Sequence, residues 1–198
     1  MIEFKNMSDA APYKLFKKKY EDALNLNHEG IEAISISSYS PELNEVNSRY
    51  VNLKFIIGND FIFFSNYESP KSKEFAVHNQ ITALIYWNTI NTQIRLKALI
   101  KRTSKQFNDE YFLKRAPHKN ALAISSKQSE SIETYNKVIE KYNKSLKFNN
   151  LRECPDHWGG FSFTPYYFEF WEGHNSRINK RLVYKKNDTK WESFIIQP

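Results

Sequence analysis

The sequence contains a single cysteine, Cys154, and only five glycines among its 198 residues. One cysteine cannot form a disulfide within the chain, and it cannot build a metal site that needs several thiolates. Neither a Gly-x-Gly-x-x-Gly motif nor a Walker-type Gly-Lys-Ser occurs, which disfavours a dinucleotide-binding fold and a glycine-rich phosphate loop. Any bound phosphate must therefore be held by side chains.

Long apolar runs are also absent, so no stretch could span a bilayer. The N-terminus, Met1 to Lys5, lacks the basic segment and apolar run of a secretory signal. We therefore expect a soluble, cytoplasmic protein with no membrane partner. The histidines show no metal-ligand spacing, so no metal site is expected.

Aromatic residues, in contrast, make up 16% of the chain, while hydrophobic residues as a whole make up 40%. A sheet interior filled by aromatic rings would explain both values, and it leaves room for burial at a subunit interface. The formal net charge of +7 attracts anions such as nucleic acid, acidic lipid headgroups or phosphorylated metabolites. The length fits one domain, which we place at residues 1–198.

Hydrophobic periodicity predicts strands joined by tight turns, with helices grouped rather than alternating with them. Helices are predicted at about residues 12–25, 69–79, 108–115 and 130–148. Strands are predicted at about residues 33–36, 49–57, 61–65, 81–87, 93–102, 160–163, 166–171, 181–185 and 191–196. This order favours a mainly β fold with peripheral helices (α+β), an antiparallel barrel with an N-terminal helix, a helical insert at about 108–148 and C-terminal strands at about 158–198.

Two apolar patterns predict buried helix faces. Phe75 and Ala76 should point inward from the second helix. In the last helix, an apolar stripe is formed by Ile132, Tyr135, Ile139 and Tyr142.

The last third of the chain carries aromatic strands that run into fixed cations. Arg177, Asn179 and Arg181 alternate by two, so an extended segment would aim them the same way. Adjacent guanidiniums repel unless an anionic, planar group lies between them, and Arg suits phosphate or carboxylate well. A flat aromatic ligand carrying phosphate would satisfy both these charges and the rings of Trp158–Phe161 and Phe168–Trp171.

Other polar residues stand at the ends of predicted strands. Arg49 and Lys54 are five residues apart, which places them on opposite faces of one strand. The segment from Phe64 to Lys71 ends a strand and opens a helix, a natural site for phosphate. Amides and hydroxyls at Gln93 and at Gln128–Ser129 could read the edge of a heterocycle, although Ser129 could instead cap its helix.

The order of motifs closely resembles the pyridoxamine 5′-phosphate oxidase family over about residues 12–198. The resemblance rests on Arg-x-Val-x-Leu-Lys at 49–54, Ser-Asn-Tyr-x-Ser-x-Lys at 65–71, Tyr-Phe-x-x-Arg at 111–115, Ser-x-Gln-Ser at 126–129, Trp-Gly-Gly-Phe at 158–161, Glu-Phe-Trp-x-Gly at 169–173 and Arg-x-x-x-Arg at 177–181. These FMN-dependent oxidases of vitamin B6 metabolism have a split β-barrel fold. The implied active unit is a homodimer with FMN at its interface.

The resemblance implies a role for each matching position. The FMN-binding residues would be Arg49, Tyr50, Val51, Lys54, Phe64, Ser65, Lys71 and Gln93, with Gln128, Ser129, Trp171 and Arg181 from the second subunit. The substrate-binding residues would be Lys54, Tyr111, Arg115, Lys119, Arg177 and Asn179. Arg177 and Asn179 would be the catalytic pair.

The implied reaction makes pyridoxal 5′-phosphate from pyridoxamine or pyridoxine 5′-phosphate, with O2 as acceptor. A flavin gains electron density around N1 and the C2 carbonyl when it accepts a hydride. A nearby cation, for which Arg177 is our best choice, would stabilise that transition state more than the ground state.

Four positions depart from the family pattern. The family usually has His at Asn179, Arg at Pro70, Ser at Lys119 and Gly at Leu122. Asn cannot titrate near neutral pH, whereas a lysine can still bind phosphate as a point charge. We expect FMN binding and B6 oxidase activity to be retained.

Three alternatives stay open. A related FMN oxidase with another substrate, such as one of a phenazine pathway, is motivated by Asn179 and the altered 119–123 segment. A flavin-binding protein without turnover is the second. A nucleic-acid-binding barrel is disfavoured, because the aromatics alternate with apolar residues as a core does and the charges fall inside family motifs.

Overall fold

The computed structural model describes residues 1–198, and its centre is one sheet of nine strands. The strands are β1 (Glu3–Lys5), β2 (Ala33–Ser40), β3 (Glu45–Ile57), β4 (Asp60–Asn66), β5 (Gln80–Trp87), β6 (Thr92–Arg102), β7 (Trp158–Glu172), β8 (Lys180–Asn187) and β9 (Lys190–Ile196). The helices are α1 (Ala11–Asn25), α2 (Pro70–Val77), α3 (Lys105–Lys114), α4 (Pro117–Ser125) and α5 (Tyr135–Phe148). A short 3₁₀ turn, Asn88–Ile90, joins β5 to β6.

Six strands pair in a closed ring. β3 pairs with β2, and the neighbours continue through β5, β6 and β7 to β4, which pairs with β3 again. All pairs in the ring are antiparallel, and β8 and β9 extend the sheet from β7 in the same sense. The expectation of an antiparallel barrel is confirmed only in part, because β1 joins β3 in parallel and makes the nine-stranded sheet mixed. β1 has three residues, too few for a periodic signal, and the chain crosses over through α1 before β3 begins.

The interior of the ring is filled by aromatic side chains, as the composition predicts. Phe61, Phe63 and Phe163 are fully buried, and their rings contact one another. α1 covers one opening of this core with Tyr13 and Phe16, which pack edge-on against neighbouring rings. Burial of this kind is worth roughly 1.5–3 kcal/mol for each large side chain, so the ring of strands is a rigid support for residues at its rim.

Helix α1 confirms the prediction from the sequence, with Pro12 in its first turn. The other helices correct it in part. In α2, Phe75 is buried but Ala76 is exposed, and the inward face is completed by Lys71, Ser72 and Glu74. These polar side chains are satisfied where they face inward: Lys71 and Ser72 hydrogen-bond to Ser69 Oγ, and Glu74 accepts from side chains of β2 and β3.

The helical region after β6 differs most from the prediction. Helix α4 was not predicted, and α5 begins at Tyr135 rather than near residue 130. The stripe on α5 is not buried within the chain, since Tyr135 is 76% exposed and Ile139 is 43% exposed. The apolar periodicity therefore indicates an amphipathic helix, but it does not identify what covers the apolar face of that helix.

Two predicted strands, at 160–163 and 166–171, are one continuous strand, β7. Tyr166 lies at a shift in the β6–β7 register, between the pairs Ala98–Pro165 and Lys97–Tyr167, and this shift interrupts the alternation in the sequence. The chain has no helix with the length and apolarity needed to cross a membrane.

Candidate active site

A cavity of about 700 Å³ opens at the rim of the strand ring, between β3, β4, the start of α2 and the α3–α4 junction. It gathers most of the predicted site residues of one chain. These are Arg49, Tyr50, Val51, Lys54, Phe64, Ser65, Lys71, Tyr111, Arg115, Lys119, Gln128 and Ser129. Pro70, Lys114 and Trp158 also line it.

The cavity is strongly cationic. Its lining contains six basic side chains and no carboxylate: Arg49, Lys54, Lys71, Lys114, Arg115 and Lys119. Like charges at close range repel one another, so this arrangement is stable only where anions are bound or water screens the charges. The lining therefore selects for an anionic ligand, and its length accommodates more than one anionic group.

Lys71 is the most informative of these cations. Its side chain is buried, its Nζ donates to Ser69 Oγ at 3.0 Å, and it makes no salt bridge. Burial, together with the charge of Arg49, lowers the pKa of Lys71 from its usual 10.5 to about 8, although Glu74 partly offsets the fall. A buried ammonium beside a guanidinium is one half of an anion site.

Arg49 is held in place by a buried carboxylate that the sequence analysis missed. Glu74 accepts hydrogen bonds from Arg49 Nη2 and Asn47 Nδ2, both at 3.0 Å, and from the Ser38 hydroxyl. Arg49 Nη1 also donates to Ser38 Oγ at 2.6 Å. The available signal was the spacing of Glu74, three residues after Lys71 and thus on the same face of α2.

Arg49 and Lys54 line the same cavity, although their spacing predicts opposite faces of β3. The β3–β4 register shifts between Leu53 and Phe55, which places a β-bulge at Lys54. A bulge inserts one extra residue and breaks the two-residue alternation of the strand. Spacing along β3 therefore no longer assigns Lys54 to the far face. Its ammonium lies 3.9 Å from Glu32 at the edge of the cavity.

One wall of the cavity is an aromatic stack. The rings of Phe64 and Tyr111 lie 3.9 Å apart with 19° between their planes, and Trp158 stacks on Phe64 at 5.2 Å. The Arg115 guanidinium lies over the Trp158 ring at 4.4 Å, and its Nη1 donates to Asn120 Oδ1 at 3.1 Å. Burial raises the pKa of Tyr111, so its phenol is neutral at physiological pH. Trp158 lines the cavity, in agreement with the expectation that its ring faces a flat aromatic ligand.

Gln128 and Ser129, which the family resemblance assigns to the second subunit, line the cavity of their own chain. Ser65 Oγ donates to Gln128 Oε1 at 3.1 Å, and Asn66 Nδ2 donates to the Ser126 carbonyl at 3.2 Å. These bonds fold the segment before α5 back over the end of β4. Ser129 does not cap the helix: it lies in a loop with φ of 70°, and Thr134 is the cap.

Gln93, Trp171 and Arg181 lie outside this cavity and form a second cluster. They are direct neighbours across β6, β7 and β8, since Gln93 pairs with Trp171 and Trp171 with Arg181. Gln93, Trp171 and Arg181 are all partly exposed, whereas Ile94 and Phe170, beside them along β6 and β7, are buried. The row therefore lies on the outer face of the ring.

Arg181 is fixed by Glu169, whose side chain is only 3% exposed. Glu169 Oε1 accepts from Arg181 Nε at 2.9 Å and Nη2 at 2.7 Å, while Oε2 accepts from Arg95 and from the Tyr167 hydroxyl. Burial alone would raise the pKa of Glu169, but the hydrogen bonds from Arg181, Arg95 and Tyr167 outweigh it and hold the pKa below its usual range. A carboxylate of the chain thus lies between two guanidiniums.

Arg177 and Asn179 are not extended, so the prediction that they share one direction with Arg181 is wrong. Strand β8 begins only at Lys180, and Arg177 has φ of 60° in the loop that precedes it. Arg177 is exposed and lies outside the cavity of its own chain. Asn179 Oδ1 accepts the backbone N–H of His174 at 3.0 Å. The two-residue spacing failed because a hairpin loop replaces the expected strand.

Known proteins resemble this chain along most of its length. Residues 158–198 match the family model described as the pyridoxine 5′-phosphate oxidase C-terminal dimerisation region. A pyridoxine/pyridoxamine 5′-phosphate oxidase of Bacteroides thetaiotaomicron is 34% identical over 191 residues, covering 94% of this chain and 89% of the relative. The enzyme of that name from Polynucleobacter asymbioticus is 32% identical over 189 residues, with the same shares covered.

Solved structures show the same fold. PhzG from Burkholderia lata, crystallised with tetrahydrophenazine-1-carboxylic acid, superimposes with a TM-score of 0.88 at 21% identity, covering 94% of this chain and 92% of that one. A pyridoxamine 5′-phosphate oxidase-related, FMN-binding protein from Nostoc punctiforme gives a TM-score of 0.80 at 14% identity, covering 97% and 100%.

Proposed function

Because the chain belongs to the pyridoxine/pyridoxamine 5′-phosphate oxidase family, we propose that it converts pyridoxamine 5′-phosphate, pyridoxine 5′-phosphate or both to pyridoxal 5′-phosphate. FMN is the proposed cofactor and O2 the proposed acceptor. The observation that carries the proposal is the buried, unpaired ammonium of Lys71 beside Arg49, in a cavity lined by cations and aromatic rings. The residues present therefore fit a phosphorylated, planar cofactor.

Lys71, Arg49 and Ser65 would hold the FMN phosphate at one end of the cavity. Arg49 needs no reorganisation for this, because Glu74 and Ser38 already fix its guanidinium. Gln128 is fixed in turn by its bond to Ser65 and presents an amide toward the cofactor. When bound, FMN supplies the hydride acceptor and the route by which electrons reach O2.

The substrate would lie against the Phe64–Tyr111 stack, with its phosphate toward α4. Arg115 and Lys119 provide fixed and flexible charge for that phosphate, and the neutral phenol of Tyr111 can donate a hydrogen bond to it. Lys54 and Lys114 are the remaining cations of the cavity lining. The charges at this end of the cavity support a substrate that carries its own phosphate.

The second cluster would serve the other subunit of a homodimer. Trp171, Arg177 and Arg181 lie within residues 158–198, the segment that matches the family's dimerisation region, and all three lie outside their own chain's cavity. We propose that they and Gln93 complete the site of the partner, with Arg177 supplying positive charge where the reduced flavin gains electron density. The closed ring of six strands would then be the FMN-binding split barrel of the family.

The test is to purify the protein, record its visible spectrum with added FMN, and measure peroxide release with each B6 phosphate. We expect a bound-flavin spectrum that bleaches when pyridoxamine 5′-phosphate is added without O2, and that recovers on aeration. A flavin spectrum without bleaching by either vitamer would instead indicate a flavin-binding protein without turnover. Lack of any FMN binding would reject the proposal entirely.

A second candidate function is oxidation of a different anionic ring compound, such as an intermediate of phenazine synthesis. The specific observation in its favour is the pair of substitutions at the substrate side, Lys119 in the cavity and Asn179 in the loop. Peroxide release with a tricyclic carboxylic acid, in the absence of release with B6 phosphates, would favour it over the first.

A further inference from the structure

We propose that Asn179 is a positioning residue, which closes the loop that carries Arg177 instead of contacting the substrate. The proposal rests on the proposed function, because that is where Arg177 acquires its catalytic role. Within the loop, Arg177 would contact the ligand, and Asn179 would hold the backbone that positions Arg177.

The geometry of the loop supports this role. Asn179 Oδ1 accepts the backbone N–H of His174 at 3.0 Å, so a side chain on one side of the loop binds the backbone of the other. Within this closure, the Arg177 N–H donates to the His174 carbonyl at 2.9 Å, and the Ser176 N–H donates to His174 Nδ1 at 3.1 Å. All three bonds converge on His174, and Asn179 is what holds His174 from the strand side.

The base of the loop is also fixed. Glu172 pairs with Lys180 at the ends of β7 and β8, and the Gly173 N–H donates to the Asn91 carbonyl at 3.0 Å. A Cβ at Gly173 would lie 2.2 Å from the Asn91 side chain, so the backbone is packed tightly there. The loop beyond this fixed base is residues 174–179, the segment that the Asn179 bond closes.

Arg177 needs this closure because its backbone is strained. Its φ of 60° lies in the left-handed region, which is unfavourable for a residue with a Cβ. An exposed arginine has no burial to offset that energy, so hydrogen bonds within the loop must maintain the conformation. Without the Asn179 bond, we expect Arg177 to relax to negative φ and to redirect its guanidinium.

Two substitutions test the bond. Asn179→Ala removes the acceptor, whereas Asn179→Asp keeps an oxygen at the same place. In the FMN-free protein, hydrogen exchange at the His174 amide should become at least tenfold faster in Asn179→Ala and stay close to wild type in Asn179→Asp. Asn187→Ala, at the tip of the neighbouring β8–β9 hairpin, is the matched control and should leave the His174 amide unchanged.

A double-mutant cycle, measured by peroxide release, tests whether Asn179 acts through Arg177. Asn179→Ala should lower kcat/KM roughly tenfold while the Kd for FMN stays within twofold, and Asn179→Asp should recover part of the loss. In an Arg177→Ala background, adding Asn179→Ala should have no further effect, because Asn179 acts through Arg177. Additive losses would show direct substrate contact and overturn the proposal.

The outcomes separate this proposal from the proposed function. If the wild type releases no peroxide with any substrate, the oxidase function fails, but hydrogen exchange still tests the loop. If the His174 amide is equally protected in Asn179→Ala and wild type, the positioning role is wrong even in an active enzyme.

Discussion

Lys71 Nζ lies 3.0 Å from Ser69 Oγ, and that hydroxyl is its one hydrogen-bond partner within the chain. An ammonium has three donors, and a buried one normally pairs with a carboxylate. The nearest carboxylate on the same helix face, Glu74, is instead occupied by Arg49, Asn47 and Ser38. Two donors of Lys71 are thus left for a ligand, which is why this residue dominates the expected affinity for phosphate.

Replacing Lys71 by Met should weaken FMN binding by about 10- to 100-fold, since a charge-assisted hydrogen bond contributes roughly 1.5–3 kcal/mol. Fluorescence quenching of free FMN on titration with protein measures the Kd. Lys73→Met is the control, because Lys73 is exposed on the opposite face of α2. Equal effects of the two substitutions would show that only net charge matters.

The contribution of Lys71 to the stability of the FMN-free protein should rise between about pH 8 and pH 10. The pKa of Lys71 in the folded chain is about 8, below the usual 10.5, so in this window the unfolded chain binds more protons. This contribution therefore increases with pH, and the full displacement corresponds to at most about 3 kcal/mol. Urea unfolding at several pH values should show that the difference in stability between wild type and Lys71→Met shifts in favour of wild type across this window, because the other titrating groups are common to both. Bound FMN phosphate should reverse this pH dependence, because it stabilises the protonated form of Lys71.

Glu169→Gln should destabilise the fold by roughly 3 kcal/mol, because it leaves Arg95 and Arg181 without their shared carboxylate. Since the pKa of Glu169 is lowered in the folded state, its contribution is complete at neutral pH and is lost as the pH falls through that lowered pKa. Chemical denaturation at neutral and acidic pH measures both effects. Glu192→Gln on β9 is exposed and should change stability by less than about 0.5 kcal/mol.

Gly159→Ala should destabilise the protein by about 2 kcal/mol or more and disturb the cavity wall beside Trp158. A Cβ there would lie 2.2 Å from Tyr67 Oη and 2.4 Å from Asn108 Nδ2, which bond to each other. Gly58→Asn is the comparison, because Gly58 has open space around it and Asn tolerates its φ of 58°. Thermal melts of the two variants that coincide would contradict the packing argument.

Lys119→Ser, which restores the residue usual in the family, should raise KM for pyridoxamine 5′-phosphate about fivefold and make it less sensitive to salt. The reason is that an ammonium attracts phosphate as a point charge, an effect that ions screen. Steady-state kinetics at low and high ionic strength test this. Lys101→Ser, an exposed position outside the cavity, should change neither quantity. An unchanged KM in Lys119→Ser would remove Lys119 from the substrate site.

The sequence was sufficient where the signal is local. Helix α1 and the hairpins β3–β4 and β8–β9 follow from periodicity and turn residues, because the side chains that decide them are neighbours in the chain. The cavity residues on β3, β4 and α2 could likewise be predicted from motifs at strand ends.

The rest depends on contacts between distant residues. Glu74 and Arg49 form a hydrogen-bonded ion pair although they are 25 residues apart in the sequence, and no local pattern indicates that pair. The bulge at Lys54 reflects how β3 fits against β4, which a spacing rule cannot anticipate. The loop at 174–179 is decided by a side-chain bond to the backbone, so the alternation of arginines misled the prediction for Arg177.

The closure of the strand ring has a consequence for how the protein is made. β4 pairs with β3 immediately before it, but its other partner places Phe61 opposite Phe163, roughly a hundred residues later. Until β7 emerges from the ribosome, the nascent chain keeps the edges of β4 and β6 open and its phenylalanines uncovered. Such edges invite pairing with other chains. Pairing of β7 with β4 and β6 is thus the step that closes both edges and lowers this risk of aggregation.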